Sequence, residues 1–506
     1  MRTRTVLLIT GIASVLLYLA LWRLSLAFNW GEGYAERPIL AYLALYAALF
    51  GLYAWAALKI LKSRYDWNTL WLILILGLLF RGAILPADQI QEDDIYRYLW
   101  DGKVFAHGVN PYKYSPNEVS RLKEFMIRDP ASFEATYSPD QIRELTRLYQ
   151  LKWQSDKSLV YMERINHPGV PTIYPPMAQY VFRLVHTLKP DSIAMMRLAF
   201  FVFDLMAVAF IALTLRALGM NPNWCLVYYW CPLVIKETFN STHLDIIGIA
   251  FLTGAIYFLV RARYYVAYFF LALSVLGKLY PAILLPLYLK RQLQSLTERG
   301  TSPWKACAAG AALFVGVVAV GYLPFVNIGR DAFEGLETFT TYWQNNDSLF
   351  ALVLWFYGSL LGLSSELPVG FSYDLPSLLA KITVLVIVLA VLAYLFFRKA
   401  RIGGDADRAC LSDQLIIMGL VFLLSPVQNP WYLMWVVPYL CFFPWRSWLL
   451  LTGLVGLYYL DFYFEYQDMK HLIPWVVWIE FTPFYLAFAY EWWRRKQNVL
   501  TTDAHG

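Results

Sequence analysis

Charge is scarce in this chain: Asp, Glu, Lys and Arg make up only 15% of its 506 residues, against 59% hydrophobic residues. A water-soluble globule carries about a quarter of its residues as charges, so a single soluble domain is excluded. Cysteine is sparse as well. Cys225, Cys231, Cys307, Cys410 and Cys441 have neither metal-ligand spacing nor a paired framework, which removes disulfide-scaffold and zinc-ribbon readings. The period-two alternation of an outer-membrane barrel is missing. No internal repeat, low-complexity tract or flexible linker sets off a second soluble domain, so residues 1–506 read as one membrane domain. The net charge of +6 punctuates helix ends and forms no basic stripe, so no nucleic-acid partner is expected.

What the chain has is long apolar runs. Crossing the hydrocarbon layer as helix takes about 20 apolar residues. Such runs fall at 5–28, 38–60, 67–87, 193–217, 305–326, 376–398, 447–465 and 473–491. Shorter ones lie at 223–236, 246–260, 264–289 and 414–445, and all together predict an all-α polytopic bundle of about 12–14 helices in a lipid bilayer. The first run follows Arg2 and Arg4 without a small-residue cleavage site, and reads as an uncleaved anchor. Short loops rich in Lys and Arg stay in the cytoplasm. Lys59, Lys62 and Arg64; Arg261 and Arg263; Lys290 and Arg291; Arg398, Lys399 and Arg401; and Arg494, Arg495 and Lys496 form one consistent set. The third run then emerges outside, which makes 88–192 an extracytoplasmic region; its 14 acidic and 13 basic residues leave it near neutral.

Two apolar stretches are interrupted. VLGKLYPAILLP carries Lys278 and Pro281 in mid-run, and SPVQNPWY breaks 411–445. Broken helices are tolerated at depth where they are buried in protein or line a wet cavity. Both turns therefore point to a cavity opening outward. In the other reading each is an ordinary proline-marked helix pair and Lys278 snorkels or pairs locally.

The acidic stretch QIQEDDIYRYLWDGKVFAHGVNPY follows the third run directly. A helix starting near Asp93 places Asp94, Arg97, Tyr98 and Asp101 on one face, with Ile95 and Leu99 opposite and Asp93 within reach of Arg97. Such acids also suit the positive end of a helix, with Asp93 as N-cap. Proximity to a membrane exit, and to Tyr174 beside Pro175 and Pro176, favours a site. Within KETFNSTHLD, Glu237, His243 and Asp245 fit sugar hydrogen bonding or helix capping better than metal binding, because His243 and Asp245 do not share a helix face. Trp343, Asn345, Asn346 and Asp347, and Gln428, Trp431 and Tyr432, combine rings that stack on a sugar with amides and hydroxyls that bind it. Interfacial anchoring explains the same aromatics. Asp204 is an isolated intramembrane acid that reads as a structural partner of another helix. Charged segments in 117–166 suggest two amphipathic helices, one over 140–153.

DDIYRYLWDGKVFAHGVNPY, IYPPMAQYVF, KETFNSTHLD, KLYPAILLP and NPWYLMWVVP, in this order over about 81–435, resemble the polytopic glycosyltransferases of the C-type fold. The chain is most similar to the polyprenyl-phosphate-mannose-dependent mannosyltransferases. The resemblance implies an enzyme of the bacterial plasma membrane, active on the extracytoplasmic face. It would move a hexose, mannose first, from a polyprenyl-phosphate-linked sugar donor to a glycan or glycolipid acceptor, with inversion. No cofactor and no metal are implied for a donor carrying one phosphate. The family's base maps onto Asp94, three residues before Arg97 and four before Tyr98, with Asp93 as second candidate because relatives vary the acidic pair. A phosphate leaving group needs a cation, for which Lys278 comes first and Arg330 and Arg81 follow. The chain departs from many relatives in placing two further helices before the acidic region. A transporter or flippase of lipid-linked sugars is the alternative, and it predicts an internal repeat.

Overall fold

The computed structural model describes residues 1–298, 300, 302–363, 374–398 and 405–503, with side chains to 497. Lys399 and Arg401 of the orientation set lie outside the described residues. Among the described residues the fold is all-α, and the one β feature is an isolated parallel bridge between Asn345 and Val427. Among the described residues, eight helices are long and apolar enough to cross a membrane: Thr3–Ser25, Tyr34–Ile60, Trp67–Ile84, Ile193–Ala217, Trp304–Tyr342, Leu375–Phe397, Arg446–Tyr466 and Lys470–Gln497. Asp245–Val260, Tyr264–Gly277 and Leu349–Leu360 are shorter apolar helices.

Two of the apolar stretches that hydropathy counts do not form full crossings. The first breaks into Leu226–Tyr229, Pro232–Ile235 and a π-turn at Lys236–Asn240. The second leaves the helix Ala406–Leu424 and breaks into Pro430–Leu433 and Val437–Leu440. Proline lacks the amide hydrogen and disfavours helix in the residue before it. Pro232, Pro426, Pro430 and Pro438 mark these breaks. Every residue of 225–250 and of 427–442 is buried, which is where non-helical backbone in an apolar setting must sit.

The breaks are closed by side chains. Gln428 Nε2 donates to the carbonyls of Leu423 (2.8 Å) and Ser425 (3.1 Å), satisfying groups that the end of a helix leaves open. Arg197 donates to the carbonyls of Leu85 and Ala87, both at 2.6 Å, and to that of Asn240 at 2.9 Å. Asn240 in turn accepts from the Ile90 amide and donates to the Asp88 carbonyl. The loop preceding the acidic helix is thereby fixed to the loop that carries His243. Deeper down, Arg81 grips Asp204 through Nε (2.6 Å) and Nη2 (3.2 Å), and the Tyr228 hydroxyl donates to the same carboxylate.

The acidic helix spans Asp94–Ala106 and packs against Pro176–Leu188. Their approach is close at Gly102, where a Cβ would stand 2.4 Å from the Phe182 carbonyl oxygen. Tyr264–Gly277 ends at Lys278, which is extended, and a 3-10 turn at Tyr280–Leu284 leads into Leu285–Glu298. Between the acidic helix and Pro176–Leu188 the chain forms five short helices where two were expected: Pro116–Ser120, Leu122–Arg128, Pro130–Thr136, Pro139–Lys152 and Asp156–Glu163. Ser115, Asp129, Ser138 and Ser155 each cap one with a side-chain oxygen, so frequent Ser-Pro and Asp-Pro starts divide the region more finely than its charge pattern indicates.

Candidate active site

A cavity of about 560 Å³ lies where the acidic helix, the 166–175 loop, the Lys278 turn and the Pro430 break converge. Asp93, Asp94, Arg97, Tyr98, Tyr174, Asp245, Lys278, Trp343, Trp431 and Tyr432 line it, so residues far apart in sequence share one space. The rest of the lining includes Glu92, Asn166, His167, Tyr280, Tyr458 and the apolar Leu279, Leu336, Phe339 and Phe462.

The two neighbouring aspartates differ in their partners. Asp93 receives Nη2 (2.6 Å) and Nε (3.2 Å) of Arg164, whose guanidinium lies 4.2 Å from the Tyr96 ring centroid. It stands at the N-cap position without a side-chain capping bond, and Arg97 pairs with Asp101 (3.1 Å) instead of with Asp93. Burial raises the Asp93 carboxyl above its ordinary value, against the opposing pull of Arg164. Asp94 instead accepts from neutral groups: Asn166 Nδ2 at 2.7 Å, the Tyr98 hydroxyl at 3.4 Å and the Tyr174 hydroxyl at 3.5 Å. No Lys or Arg among the described residues forms an ion pair with it; His243 Nδ1 stands 3.7 Å from its Oδ2. An acid held by neutral donors on a cavity wall is oriented without being tied up in an ion pair with Lys or Arg, an arrangement suited to taking a proton.

Glu92 has a different character. It is buried at the cavity edge with Oε1 lacking a hydrogen-bond partner, and burial, reinforced by Glu237, Asp94 and Asp93 and opposed by Lys236, pushes its carboxyl up to about 8. It is a proton-bearing group at neutral pH. Burial lowers His167, which packs edge-to-face on Trp343 at 4.7 Å.

The cations of the lining are Arg97 and Lys278. Arg97 is spent on Asp101 and on the Val170 carbonyl (2.6 Å). Lys278 Nζ meets both oxygens of Asp245, at 2.8 and 2.9 Å, while Trp435 Nε1 donates to that carboxylate at 2.6 Å. The ammonium also sits 4.2 Å from the Tyr432 ring centroid. An ammonium has three donors, so a carboxylate on one side leaves hydrogen-bonding capacity for a ligand.

Seven other sequence-selected residues do not line this cavity. Arg81 is buried on Asp204, and Arg330 is exposed elsewhere. Asp101 lies beneath the wall, holding Arg97 and Gln179. Asn346 bonds Glu480 and the Gln428 carbonyl, and Gln428 closes the helix break. Glu237 is fully buried beside Lys236, away from the lining. His243 likewise sits behind the wall, stacked on Trp431 with centroids 3.9 Å apart and planes 16° apart. Among residues that sequence reasoning passed over, Glu92 was signalled by its place beside Asp93, and Asn166 and His167 by the NHPG turn. Among the described residues no group of three His, Cys, Asp or Glu side chains is arranged to hold a metal ion.

No curated protein matches this chain. The family model for Glycosyltransferase family 87 matches residues 172–426, a little over half of it, taking in the Tyr174 wall, the His243 segment, the Lys278 turn and the helix before the Pro430 break. With eight helices among the described residues long and apolar enough to cross a membrane, this chain belongs to glycosyltransferase family 87 and is a multi-pass membrane glycosyltransferase.

Proposed function

We propose that the protein transfers a hexose, mannose being the first candidate, from a polyprenyl-phosphate donor to a glycan or glycolipid acceptor, with inversion, on the extracytoplasmic face of the plasma membrane. The observation that carries this reading is an Asp94 carboxylate without a Lys or Arg partner among the described residues, sharing one cavity with the Lys278 ammonium and a set of aromatic rings.

A sugar hydroxyl is a weak nucleophile. Asp94, oriented by Asn166, Tyr98 and Tyr174, accepts its proton as the hydroxyl oxygen attacks the anomeric carbon. The bond to the phosphate oxygen breaks on the opposite side, and a single displacement inverts the centre. Lys278 meets the charge that grows on the departing phosphate. Asp93 is left a supporting role, since Arg164 already neutralises it. Trp343, Trp431 and Tyr432 suit the C–H faces of sugars, and Leu279, Leu336, Phe339 and Phe462 suit the first isoprene units of a lipid carrier. Family membership favours transfer over transport of a lipid-linked sugar.

The test offers the purified protein radiolabelled mannosyl-phosphoryl-polyprenol, and separately GDP-mannose, with membrane lipid extract as acceptor. Label should move to acceptor from the lipid donor only. Transfer from the nucleotide donor alone would contradict the donor class.

A further inference from the structure

Behind the cavity wall lies a line of buried groups for which the displacement, as described, has no use. His243 points Nδ1 at Asp94 Oδ2 (3.7 Å) and Nε2 at Glu237 Oε2 (3.4 Å), and is itself completely buried. Among the described residues neither ring nitrogen has a hydrogen-bond partner, and neither has Glu237 Oε2. On its far side Glu237 Oε1 stands 3.2 Å from Lys236 Nζ and accepts from the Tyr459 hydroxyl at 3.2 Å. Lys236 also contacts Ser241 Oγ (2.7 Å) and the Tyr459 hydroxyl. The charged and titratable groups facing the ring are thus Asp94 from the acidic helix, Glu237 and Lys236 from its own segment, and the more distant Lys278, with Trp431 covering one face.

A neutral imidazole donates from one nitrogen and accepts at the other. Here each nitrogen faces a carboxylate oxygen, an acceptor when ionised. Both contacts become hydrogen bonds only when the trio holds one more proton, on the ring or on a facing oxygen. Distances of 3.4 and 3.7 Å belong to a resting site, where catalytic bonds are long until substrate is present. The backbone supports a purpose. Thr242, just before the ring, has φ 62°, a left-handed conformation unfavourable to a β-branched residue, and its hydroxyl is held by Arg197 Nε at 3.1 Å. Strain is being maintained where it sets the direction of His243.

Resting on the assignment of Asp94 as base, we propose that His243 is a positioning residue that relays the reaction's proton. The acceptor O–H bond breaks and its proton goes to Asp94 Oδ2. The acceptor oxygen bonds the anomeric carbon, and the electron pair of the old bond leaves with the phosphate. The proton then passes from Asp94 to His243 Nδ1, Glu237 holds the imidazolium through Nε2–H, and water takes the proton back through Asp94 when products leave. Nothing is oxidised or reduced, and His243 never touches the sugar.

The experiment compares wild type, Asp94→Asn, His243→Gln and His243→Gly in the full-length protein, with the donor whose sugar the wild type transfers. Turnover should fall about 10- to 100-fold in His243→Gln, within the range of proton-transfer assistance, with KM within twofold and thermal stability near wild type. In His243→Gly, added imidazoles should restore turnover in proportion to their basicity. Rescue that follows only molecular size would mark a packing role and overturn the relay. Wild-type turnover in His243→Gln beside an inactive Asp94→Asn would overturn it too, while leaving the base standing. An active Asp94→Asn would remove the base and the relay together. If the His243 variants do not fold, Glu237→Gln decides: a several-fold loss of turnover at unchanged KM supports the relay, and wild-type turnover refutes it.

Discussion

Residues 225–250 and the helix Leu375–Phe397 are both rich in apolar residues, and the molecule uses them in opposite ways. The first is buried throughout and holds Lys236, Glu237, His243 and Asp245 in paired or opposed geometry; the second presents most of its surface outward. The difference lies in interruption. An unbroken apolar helix satisfies its own backbone and can face lipid, whereas a run broken at proline exposes carbonyls and amides that only a protein interior can answer. Chemistry follows the breaks because backbone turns bring charged side chains of separate segments together there. The apolar stretches of Trp304–Tyr342 and Leu375–Phe397 are likewise mostly unburied, although Leu336 and Phe339 of the former reach the cavity.

That contrast can be broken most severely at the buried Arg81–Asp204 ion pair. Arg81→Leu leaves Asp204 buried without its cation, and stability should fall by about 3–5 kcal/mol. Thermal unfolding in detergent measures this, and adding Asp204→Leu should recover most of the loss. Next comes Gly248, whose Cβ would lie 2.4 Å from the Trp435 ring and 3.2 Å from the Ser274 carbonyl. Gly248→Val should cost about 1–3 kcal/mol by overpacking, read by the same unfolding curve.

Glu92 gives a pH-dependent version. Its folded value, about 8, lies above its ordinary 4.5, so between these pH values the folded state binds the extra proton. Its contribution is fully present below about 4.5 and is lost as pH rises through about 8. Glu92→Gln should flatten the decline in melting temperature across pH 5–9, and an unchanged slope would place the titrating group elsewhere. The smallest effect belongs to the outer surface. Leu385 and Val386 are 56% and 57% exposed, and replacing either by Ala should change stability by no more than about 0.5 kcal/mol.

Much of this was legible in sequence, for identifiable reasons. Apolar length fixes the membrane class, and acidic residues at a membrane exit mark the start of the helix at Asp94. The breaks at Lys278 and Pro430 are visible because proline and a charge interrupt apolar runs. Sequence could not say that 223–236 and 426–445 fold as buried fragments, since hydropathy is blind to what covers a segment. Nor could it separate Asp93 from Asp94. That distinction depends on Arg164, 71 residues from Asp93, and on Asn166, 72 from Asp94. Arg81 looked available for phosphate because its partner Asp204 is 123 residues away.

The measurement that meets the central claim most directly is turnover of lipid-linked sugar by Asp94→Asn and Asp93→Asn side by side. Asn keeps the shape at either position and removes the charge. Asp94→Asn should lose about 10²- to 10⁴-fold in kcat, the range for a general base, with donor binding retained. Asp93→Asn, which only releases Arg164, should lose less than tenfold. An equal loss at both positions, or a larger one at Asp93, would contradict the assignment of Asp94 as the base.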